Sequence, residues 1–571
     1  MGTAVFDYDE FHRLIERFAD EVPQILSGHH TTADLVPRFY GLLDAVESVF
    51  TVAVVGQMRS GKSSLLNALV GADLAVTGVN ETTATINWFK YGEGEQCHRV
   101  RVIWKDRPAE EFPLTELQHW IGDSERAKAT RYLELFSSSA FLRQANVVDT
   151  PGTRSVLESH ERKIQEFLAA KHDAETRRQG GAADAIVYML MPVARESDRD
   201  QLADFEQHTR LPGSSPYNSL AVVHKWEAML SVEDPVEEVR RKAERISKAM
   251  GDLVSAVIPV SAPLAWAAEQ FTDAFWLQIL ELAVNCPADV LDELLLLDRD
   301  FMQANIAGCP LDATARQRLY AAHRSHLPWP SLKVVLRIAS KQAPGCVADL
   351  RAAIRQASGI DVLRGELQRR FFARTKMIKA FSVLSKALEP CQIGSRRLRN
   401  HKVESSRLMD GAQAAMASLS RCATADATLA PVQRYLEETR SIVQDDLRRA
   451  SETLRKLDEL AVTVHDAYGD MNADLQMLEL IDTNEEALGS EWARALRHLF
   501  GFAGPELNAR ISPLLESTGD GDATDVIQDT IGEMRRLLMR SKGAIRKVAE
   551  HAVARLEQIA DWLDDRAHNE P

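Results

Sequence analysis

The sequence is poor in cysteine, and its cysteines are far apart. Only six occur in 571 residues, and none lies in a Cys-x-x-Cys pair. The sequence therefore predicts neither a cysteine-ligated zinc site nor a disulfide framework. It also lacks any apolar run of about 18 residues and a basic stretch followed by an apolar one at the start. We therefore expect no membrane-spanning helix and no signal peptide, and any membrane contact should be peripheral.

Acidic residues outnumber basic residues in this chain. The 68 lysines and arginines face 83 aspartates and glutamates, which gives a formal net charge of −15 at pH 7. Affinity for nucleic acid comes largely from clustered Lys and Arg that neutralise phosphates. The composition therefore argues against a general nucleic-acid-binding protein.

What the chain does contain is a phosphate-binding loop. Residues 56–63 match the pattern G-x-x-x-x-G-K-S/T, after a β-branched run at 51–55 and before a segment with helical spacing at 64–70. Backbone N–H groups of such a loop surround phosphates, and the helix N-terminus favours negative charge. Lys62 is predicted to reach the β- and γ-phosphates, and the Ser63 hydroxyl to bind Mg²⁺. The predicted nucleotide-binding residues of this loop are Gly56, Gln57, Arg59, Ser60, Gly61, Lys62, Ser63 and Ser64.

Two later segments supply further candidate ligands. Thr83 lies in a loop that enters the next strand, where its hydroxyl can bind Mg²⁺, although threonine-rich loops before strands are common. Asp149 ends a predicted strand and begins Asp149-Thr150-Pro151-Gly152. Its carboxylate can hold Mg²⁺ through water, and the Gly152 N–H can contact the γ-phosphate. The predicted metal ligands are therefore Ser63, Thr83 and Asp149.

The segment that would recognise the base departs from the usual guanine-binding motif. A strand at 220–224 ends in His224-Lys225-Trp226-Glu227, where guanine-specific proteins have Asn/Thr-Lys-x-Asp. Glu227 can accept the same two hydrogen bonds from guanine, and the Lys225 stem can pack on the ring. The alternative is a strand end with a solvated Lys-Glu pair. Ser261, after the strand at 257–260, begins a loop whose backbone can contact guanine O6.

The rest of the pattern predicts α/β plus all-α architecture. Apolar spacing predicts two helices within 8–48. The α/β segment includes a strand at 99–104, which can pair with the one at 86–89 as a hairpin or form an edge, and a helix at 115–135. Residues 276–571 contain few strand-like runs, and heptad-like apolar spacing dominates 366–388, 403–422, 430–468, 471–500 and 524–567. We predict N-terminal helices (1–47), a P-loop domain with a mostly parallel sheet flanked by helices (48–272), and a long helical region (273–571).

Two segments of the helical part suggest contact with lipid. Residues 369–376 are basic in an acidic protein and can meet anionic lipid, although a solvated helix face is the alternative. Residues 499–505 form an apolar loop broken by glycine and proline, which suggests a membrane tip near 496–518. The alternative is a turn whose phenylalanines pack inward.

The motifs and their order resemble the bacterial dynamin-like GTPases. The resemblance rests on the loop and helix at 56–71, on Thr82-Thr83-Ala84, and on Asp149-Thr150-Pro151-Gly152. It implies that 48–272 is a dynamin-type GTPase domain, that 273–571 form a neck and trunk of antiparallel helices, and that the N-terminal helices (1–47) join the neck. It also implies Mg²⁺-dependent GTP hydrolysis, dimerisation across the nucleotide face, and membrane remodelling by a cytoplasmic, peripheral membrane protein, in vesicle release or toxin secretion. Related dynamin-like subunits are the further partners it implies. Lys62 and Thr83 are carried over as catalytic residues.

The chain also departs from that family. Arg59 lies where the guanylate-binding proteins and atlastins have an arginine that reaches toward the transition state on dimerisation, an arginine finger. It is our third catalytic candidate. The alternative is an arginine that points outward and pairs with an acidic residue. Thr153 stands where small GTPases have a water-orienting glutamine. Two other functions stay open. One is a nucleotide-binding switch or scaffold with little hydrolysis that acts through partner dynamin-like subunits, and the other is an ATPase.

Overall fold

A computed structural model shows two compact units. One holds the described residues of 1–48 and 374–571, and the other holds those of 49–169 and 182–373. The structure describes residues 8–39, 42–56, 60–74, 86–117, 126, 129–149, 183–191, 216–229, 234–250, 253–422, 430–502, 507–518 and 523–569.

The chain begins in the helical unit. Helix α1 (Tyr8–Ser27) coincides with the predicted first helix and buries its apolar face, including Phe11 and Phe18. The predicted second helix is instead a 3₁₀ segment (Ala33–Phe39) followed by the short α2 (Leu42–Glu47). Pro37 lies inside the 3₁₀ segment and has no N–H group to donate to a continuing helix.

Nine strands of the described residues form one sheet. They lie in the order β4-β3-β5-β2-β6-β1-β7-β8-β9. The strands are β1 (Thr51–Gly56), β2 (Ile86–Tyr91), β3 (Arg99–Trp104), β4 (Glu110–Pro113), β5 (Thr130–Ser137), β6 (Asn146–Asp149), β7 (Ala185–Leu190), β8 (Ser219–His224) and β9 (Val257–Val260).

The sheet is mostly parallel, which confirms the predicted fold class. Strands β6, β1, β7, β8 and β9 all run parallel, whereas β3 and β4 add an antiparallel edge. The predicted helix at 115–135 is wrong from Thr130 onward, because residues 130–137 form β5. This strand lies between β2 and β3, so those two do not form the suggested hairpin.

The α/β unit contains more helices than the sequence analysis placed beside the sheet. Its core joins strand residues such as Val55 to Trp276, Leu336 and Ile354, all beyond the boundary predicted after residue 272. The helices of this unit are α3 (Lys62–Val70), α4 (Ala140–Gln144), α5 (Pro235–Ala249), α6 (Ala262–Gln270), α7 (Asp273–Asn285), α8 (Ala288–Leu294), α9 (Asp298–Gln303), α10 (Ala313–His323), α11 (Trp329–Gln342), α12 (Val347–Ser358) and α13 (Ile360–Arg370).

Two long helices dominate the helical unit. Helices α14 (Thr375–Cys422) and α15 (Ala430–Thr483) contain 48 and 54 residues, and they pack antiparallel, with Phe381 stacked on Tyr468. Within the described part of the chain, every helix is too short or too polar to cross a lipid bilayer. The unit is completed by α16 (Glu485–Leu488), α17 (Ser490–Leu499), α18 (Leu507–Thr518), α19 (Ala523–Arg540) and α20 (Gly543–Asn569).

The two segments with a suggested lipid contact make internal contacts instead. In the basic stretch, Arg370 pairs with Glu366, while the fully buried Arg374 pairs with Glu479 and Asp482. At the other segment, Phe500 is fully buried. The described part of this turn therefore packs inward, which is the alternative stated above, and the membrane tip stays a prediction.

Candidate nucleotide-binding site

The phosphate-binding loop begins at the carboxyl end of β1. Every residue of β1 is buried, so the strand fixes the position of Gly56 in the middle of the sheet. Gly61 precedes α3 with a φ of 92°, in the left-handed region that favours glycine. A Cβ atom at Gly61 would lie 2.6 Å from Cε1 of His224. The second glycine of the motif is thus required both by its backbone conformation and by the imidazole packed against it.

Lys62 is buried at the start of α3. Its Nζ donates a hydrogen bond to the carbonyl of Gly56 at 3.2 Å, so the side chain bends back over its own loop. Burial lowers the pKa of Lys62, and the nearby Asp149 carboxylate partly opposes that shift. A cation held in a dry loop is well placed to attract phosphate.

Ser63 and Asp149 meet beside Lys62. The Ser63 hydroxyl donates to Oδ2 of Asp149 at 3.1 Å. Oδ1 of Asp149 is buried and has no hydrogen-bond partner among the described residues, and the same holds for Oγ of Ser60. Burial raises the pKa of Asp149, whereas Lys62 and Ser63 lower it. An orphaned carboxylate oxygen beside a hydroxyl is a donor set that fits Mg²⁺, which prefers oxygen ligands.

A cavity of about 310 Å³ opens beside α3, within the usual range for small-molecule sites. Its wall includes Ser64 and Asn67 of α3, Lys225 and Glu227 after β8, and Trp266 of α6. The P-loop helix and the predicted base-reading segment therefore share one cavity. Binding of a base in this cavity stays a prediction.

The groups predicted to contact the base, on Glu227 and Ser261, form hydrogen bonds within the protein. Oε1 of the buried Glu227 accepts hydrogen bonds from Ser261 and, at 3.5 Å, from Ser331. Burial raises the pKa of Glu227, and the Ser261 hydrogen bond opposes that shift. The backbone N–H of Ser261 donates to the Ser358 carbonyl at 2.8 Å. A contact of these groups with guanine therefore stays a prediction.

Part of this cavity comes from a segment that carried no motif. Ser325, His326, Pro328, Pro330 and Ser331 line it. The His326 ring stacks on Trp266 with centroids 5.2 Å apart. The segment lies about 100 residues beyond Glu227, so nothing in the local sequence could have linked it to the site.

Several predicted site residues lie outside the described part of the chain. Among the described residues, Lys62 contacts the Gly56 carbonyl, Ser63 contacts Asp149, and Ser64, Lys225 and Glu227 line the neighbouring cavity, while their contact with a nucleotide stays a prediction. Gln57, Arg59, Thr83 and Gly152 fall outside the described residues.

Comparison with known proteins identifies the class to which this site belongs. Residues 52–209 match the dynamin family, over the stretch that holds the P-loop and Asp149. Residues 52–209 are therefore similar to the dynamin family, and this part of the chain resembles the bacterial dynamin-like GTPases.

Individual relatives share about a quarter of their aligned residues with this chain. The isoniazid-induced protein IniC of Mycobacterium tuberculosis is 27% identical over 282 residues, which cover 47% of this chain and 53% of IniC. Dynamin-like protein 2 of Campylobacter jejuni is 26% identical over 144 residues, which cover 25% of this chain and 23% of that protein. The chain thus spans about half the length, or less, of these relatives.

A solved structure of a bacterial dynamin is only loosely similar to this chain. A chain from a report of an oligomerised bacterial dynamin pair aligns over 81% of this chain and 80% of its own length, with 15% sequence identity and a TM-score of 0.28. A superposition this loose carries no argument about function or partners.

Proposed function

We propose that the protein binds and hydrolyses GTP with Mg²⁺, and that nucleotide-dependent dimerisation drives membrane remodelling. The observation that carries the proposal is the Ser63–Asp149 pair beside the buried Lys62, inside a dynamin-family domain. These three side chains provide one cation for phosphate and two oxygen ligands for a metal.

Each residue has a distinct role in this proposal. Lys62 exchanges its hydrogen bond to the Gly56 carbonyl for the β- and γ-phosphates. Ser63 and Asp149 would hold Mg²⁺, since one oxygen of Asp149 lacks a hydrogen-bond partner among the described residues. A bound Mg²⁺ would neutralise negative charge on the phosphate oxygens. The dry surroundings of Lys62 and Asp149 strengthen these interactions relative to those in water.

Three further residues enter the proposal from their sequence positions alone. Thr83 supplies a metal ligand, and the Gly152 N–H contacts the γ-phosphate. Arg59 acts as a finger toward the transition state across the dimer. Replacement of Arg59 by alanine should then remove the stimulation of turnover by dimerisation. If stimulation persists in that variant, Arg59 is not the finger.

The proposed setting follows from the family. We infer a cytoplasmic protein that binds the surface of a membrane, assembles with itself across the nucleotide face and with related dynamin-like subunits, and supports vesicle release or toxin secretion. The dynamin-family domain and the long antiparallel helices support this setting.

A second function is favoured by a specific observation. The Glu227 carboxylate already accepts hydrogen bonds from Ser261 and Ser331, and the Ser261 backbone N–H already donates one to the Ser358 carbonyl. A site whose base-reading groups are already bonded suits a nucleotide-dependent switch or scaffold that turns over slowly and acts through partner subunits. The affinity for guanine would then be modest.

The two functions are separated by measuring turnover of GTP and ATP with and without anionic liposomes. Wild type is compared with Lys62→Ala and with Lys105→Ala, which removes an exposed lysine of the same unit. The first proposal expects GTP turnover that liposomes stimulate and that Lys62→Ala alone lowers by roughly 10²-fold or more. No turnover and no binding to liposomes would support the switch. Preference for ATP would contradict both.

A further inference from the structure

A second cluster of ligand-type side chains lies in the helical unit, far in sequence from every motif above. His29 follows α1, His401 lies on α14, and Asp446 lies on α15. One ligand atom from each of these three residues lies within 4.8 Å of the other two. His30 adds a third imidazole, with its ring centroid 4.4 Å from that of His29 and 5.3 Å from that of His401. Three histidines thus surround one carboxylate where three chain segments meet.

The nitrogen of His29 that faces the cluster lacks a hydrogen bond. The His29 side chain is only 1% exposed, and its Nε2 atom is buried without a hydrogen-bond partner among the described residues. Asp446 Oδ1 lies 3.4 Å from this nitrogen. Two ligands that are each about 2.1 Å from a tetrahedral zinc ion lie about 3.4 Å apart, so this spacing suits two ligands of one ion.

We propose that His29, His401 and Asp446, with His30 as the fourth ligand, bind a divalent transition-metal ion of the zinc type. Imidazole and carboxylate together suit Zn²⁺ and its neighbours, whereas Ca²⁺ and Mg²⁺ prefer oxygen ligands alone. The ion would link the turn after α1 to both long helices. It would therefore stabilise the helical unit, because only the folded chain brings the four ligands together. This proposal does not depend on nucleotide chemistry.

The contacts around His29 allow its Nε2 atom to act as a ligand. Its Nδ1 atom lies 2.8 Å from the hydroxyl of Thr31, which can accept the Nδ1 proton. The Thr31 backbone N–H lies 3.3 Å from the same atom, so the metal-free chain can also hold the other tautomer. Metal binding selects the form with the proton on Nδ1, as is usual for metal-bound histidine.

Two neighbouring contacts must rearrange when the ion binds. His401 Nε2 now lies 2.6 Å from Asp446 Oδ2, a direct hydrogen bond that the ion replaces. Arg449 reaches to 3.7 Å from Asp446 Oδ1, but its side chain is mostly exposed and can turn toward solvent. His30 Nδ1 is 3.9 Å from Asp446 Oδ1 and is also largely exposed, so it can move to the ion without disturbing the core.

The test uses the full chain, without a histidine tag, after treatment with chelator and in excess Mg²⁺ to occupy the nucleotide site. Zinc is added by equilibrium dialysis, and bound metal is measured by mass spectrometry. We expect one Zn²⁺ per chain and a higher midpoint of thermal unfolding. His401→Asn and Asp446→Asn should each weaken zinc binding at least tenfold. His465→Asn and Asp445→Asn replace exposed residues of α15 and should bind as wild type does.

Cobalt provides a readout that a purely structural role of these residues would not change. Co²⁺ in wild type should show the intense visible absorption of four-coordinate cobalt, and His30→Ala, which alters an exposed residue, should weaken that absorption while the protein stays folded. The proposal is overturned if wild type binds no more zinc than Asp446→Asn, if Co²⁺ keeps the spectrum of its six-coordinate aqua ion, or if the two controls lose zinc equally. The cluster would then be a hydrogen-bonded histidine–aspartate group only.

Discussion

The hydroxyl of Ser63 lies 3.1 Å from Oδ2 of Asp149, although 86 residues separate them in the chain. The sheet explains the contact. Strands β1 and β6 are parallel neighbours, with Val54 paired to Asp149, so the P-loop and the Asp149 carboxylate leave the same edge of the sheet. Two motifs that are recognisable separately in the sequence thus form one site.

Replacing Asp149 should raise the Mg²⁺ requirement for nucleotide binding. Asp149→Asn replaces the charged carboxylate by an uncharged amide group. We therefore expect roughly 10–100-fold more Mg²⁺ to be needed for half-maximal binding of GTP. The measurement is nucleotide affinity as a function of Mg²⁺ concentration. Asp106→Asn, at an exposed site of the same unit, is the control. Identical Mg²⁺ curves for Asp149→Asn and wild type would remove Asp149 from the metal site.

His224 should make the α/β unit sensitive to mild acid. Burial, with a smaller effect of Lys225, lowers the pKa of His224 to about 3 from an ordinary 6.5. The folded protein keeps the ring neutral, whereas the unfolded chain takes up a proton below pH 6.5. The free energy of unfolding therefore falls as the pH drops from about 6.5 toward 3, by about 2 kcal/mol between pH 7.5 and 5.0 from this residue alone.

His224→Asn isolates this effect. The variant cannot take up the proton, so its free energy of unfolding should change less with pH than that of wild type, whatever its stability at pH 7.5. Urea unfolding at several pH values, followed by hydrogen–deuterium exchange of peptides from β8 and β9, measures the difference. Equal pH dependence in the two proteins would show that His224 already binds a proton in the fold.

Gly359 should not tolerate alanine. It joins α12 to α13 with a φ of 71°, and a Cβ atom there would lie 2.2 Å from the carbonyl oxygen of Pro259. Backbone strain and this overlap together should lower the free energy of unfolding of the α/β unit by about 2 kcal/mol or more. Gly365→Ala, in the interior of α13 with open space around it, should instead raise it by roughly 0.5–1 kcal/mol. Urea titration measures the free energy of unfolding of both variants. Equal changes in Gly359→Ala and Gly365→Ala would contradict the predicted clash at Gly359.

The sequence predicted those parts of the site that a short motif carries. Lys62 and Ser63 begin the helix that follows the P-loop, and Asp149 ends a strand, so the local pattern sufficed. Strand β5 was missed because its position between β2 and β3 depends on partners distant in the chain. The cavity wall at 325–331 and the histidine cluster were missed for the same reason. The residues of each site are far apart in the sequence, so no local sequence pattern connects them.

The core of the helical unit should depend on Asp474, a buried carboxylate that pairs with two arginines. Its oxygens lie 2.8 Å from Arg510 and 2.9 Å from Arg555, and both guanidinium groups are almost fully buried. Asp474→Asn removes the nearest counter-charge of two buried cations, although Asp470 Oδ1 still lies 3.8 Å from Arg555, and it should cost about 3 kcal/mol or more. Hydrogen–deuterium exchange of α15 peptides measures the loss, with the exposed Asp466→Asn of the same helix as the control. Unchanged exchange in Asp474→Asn would mean that other acceptors, such as the Leu499 and Asp470 carbonyls, suffice for the arginines.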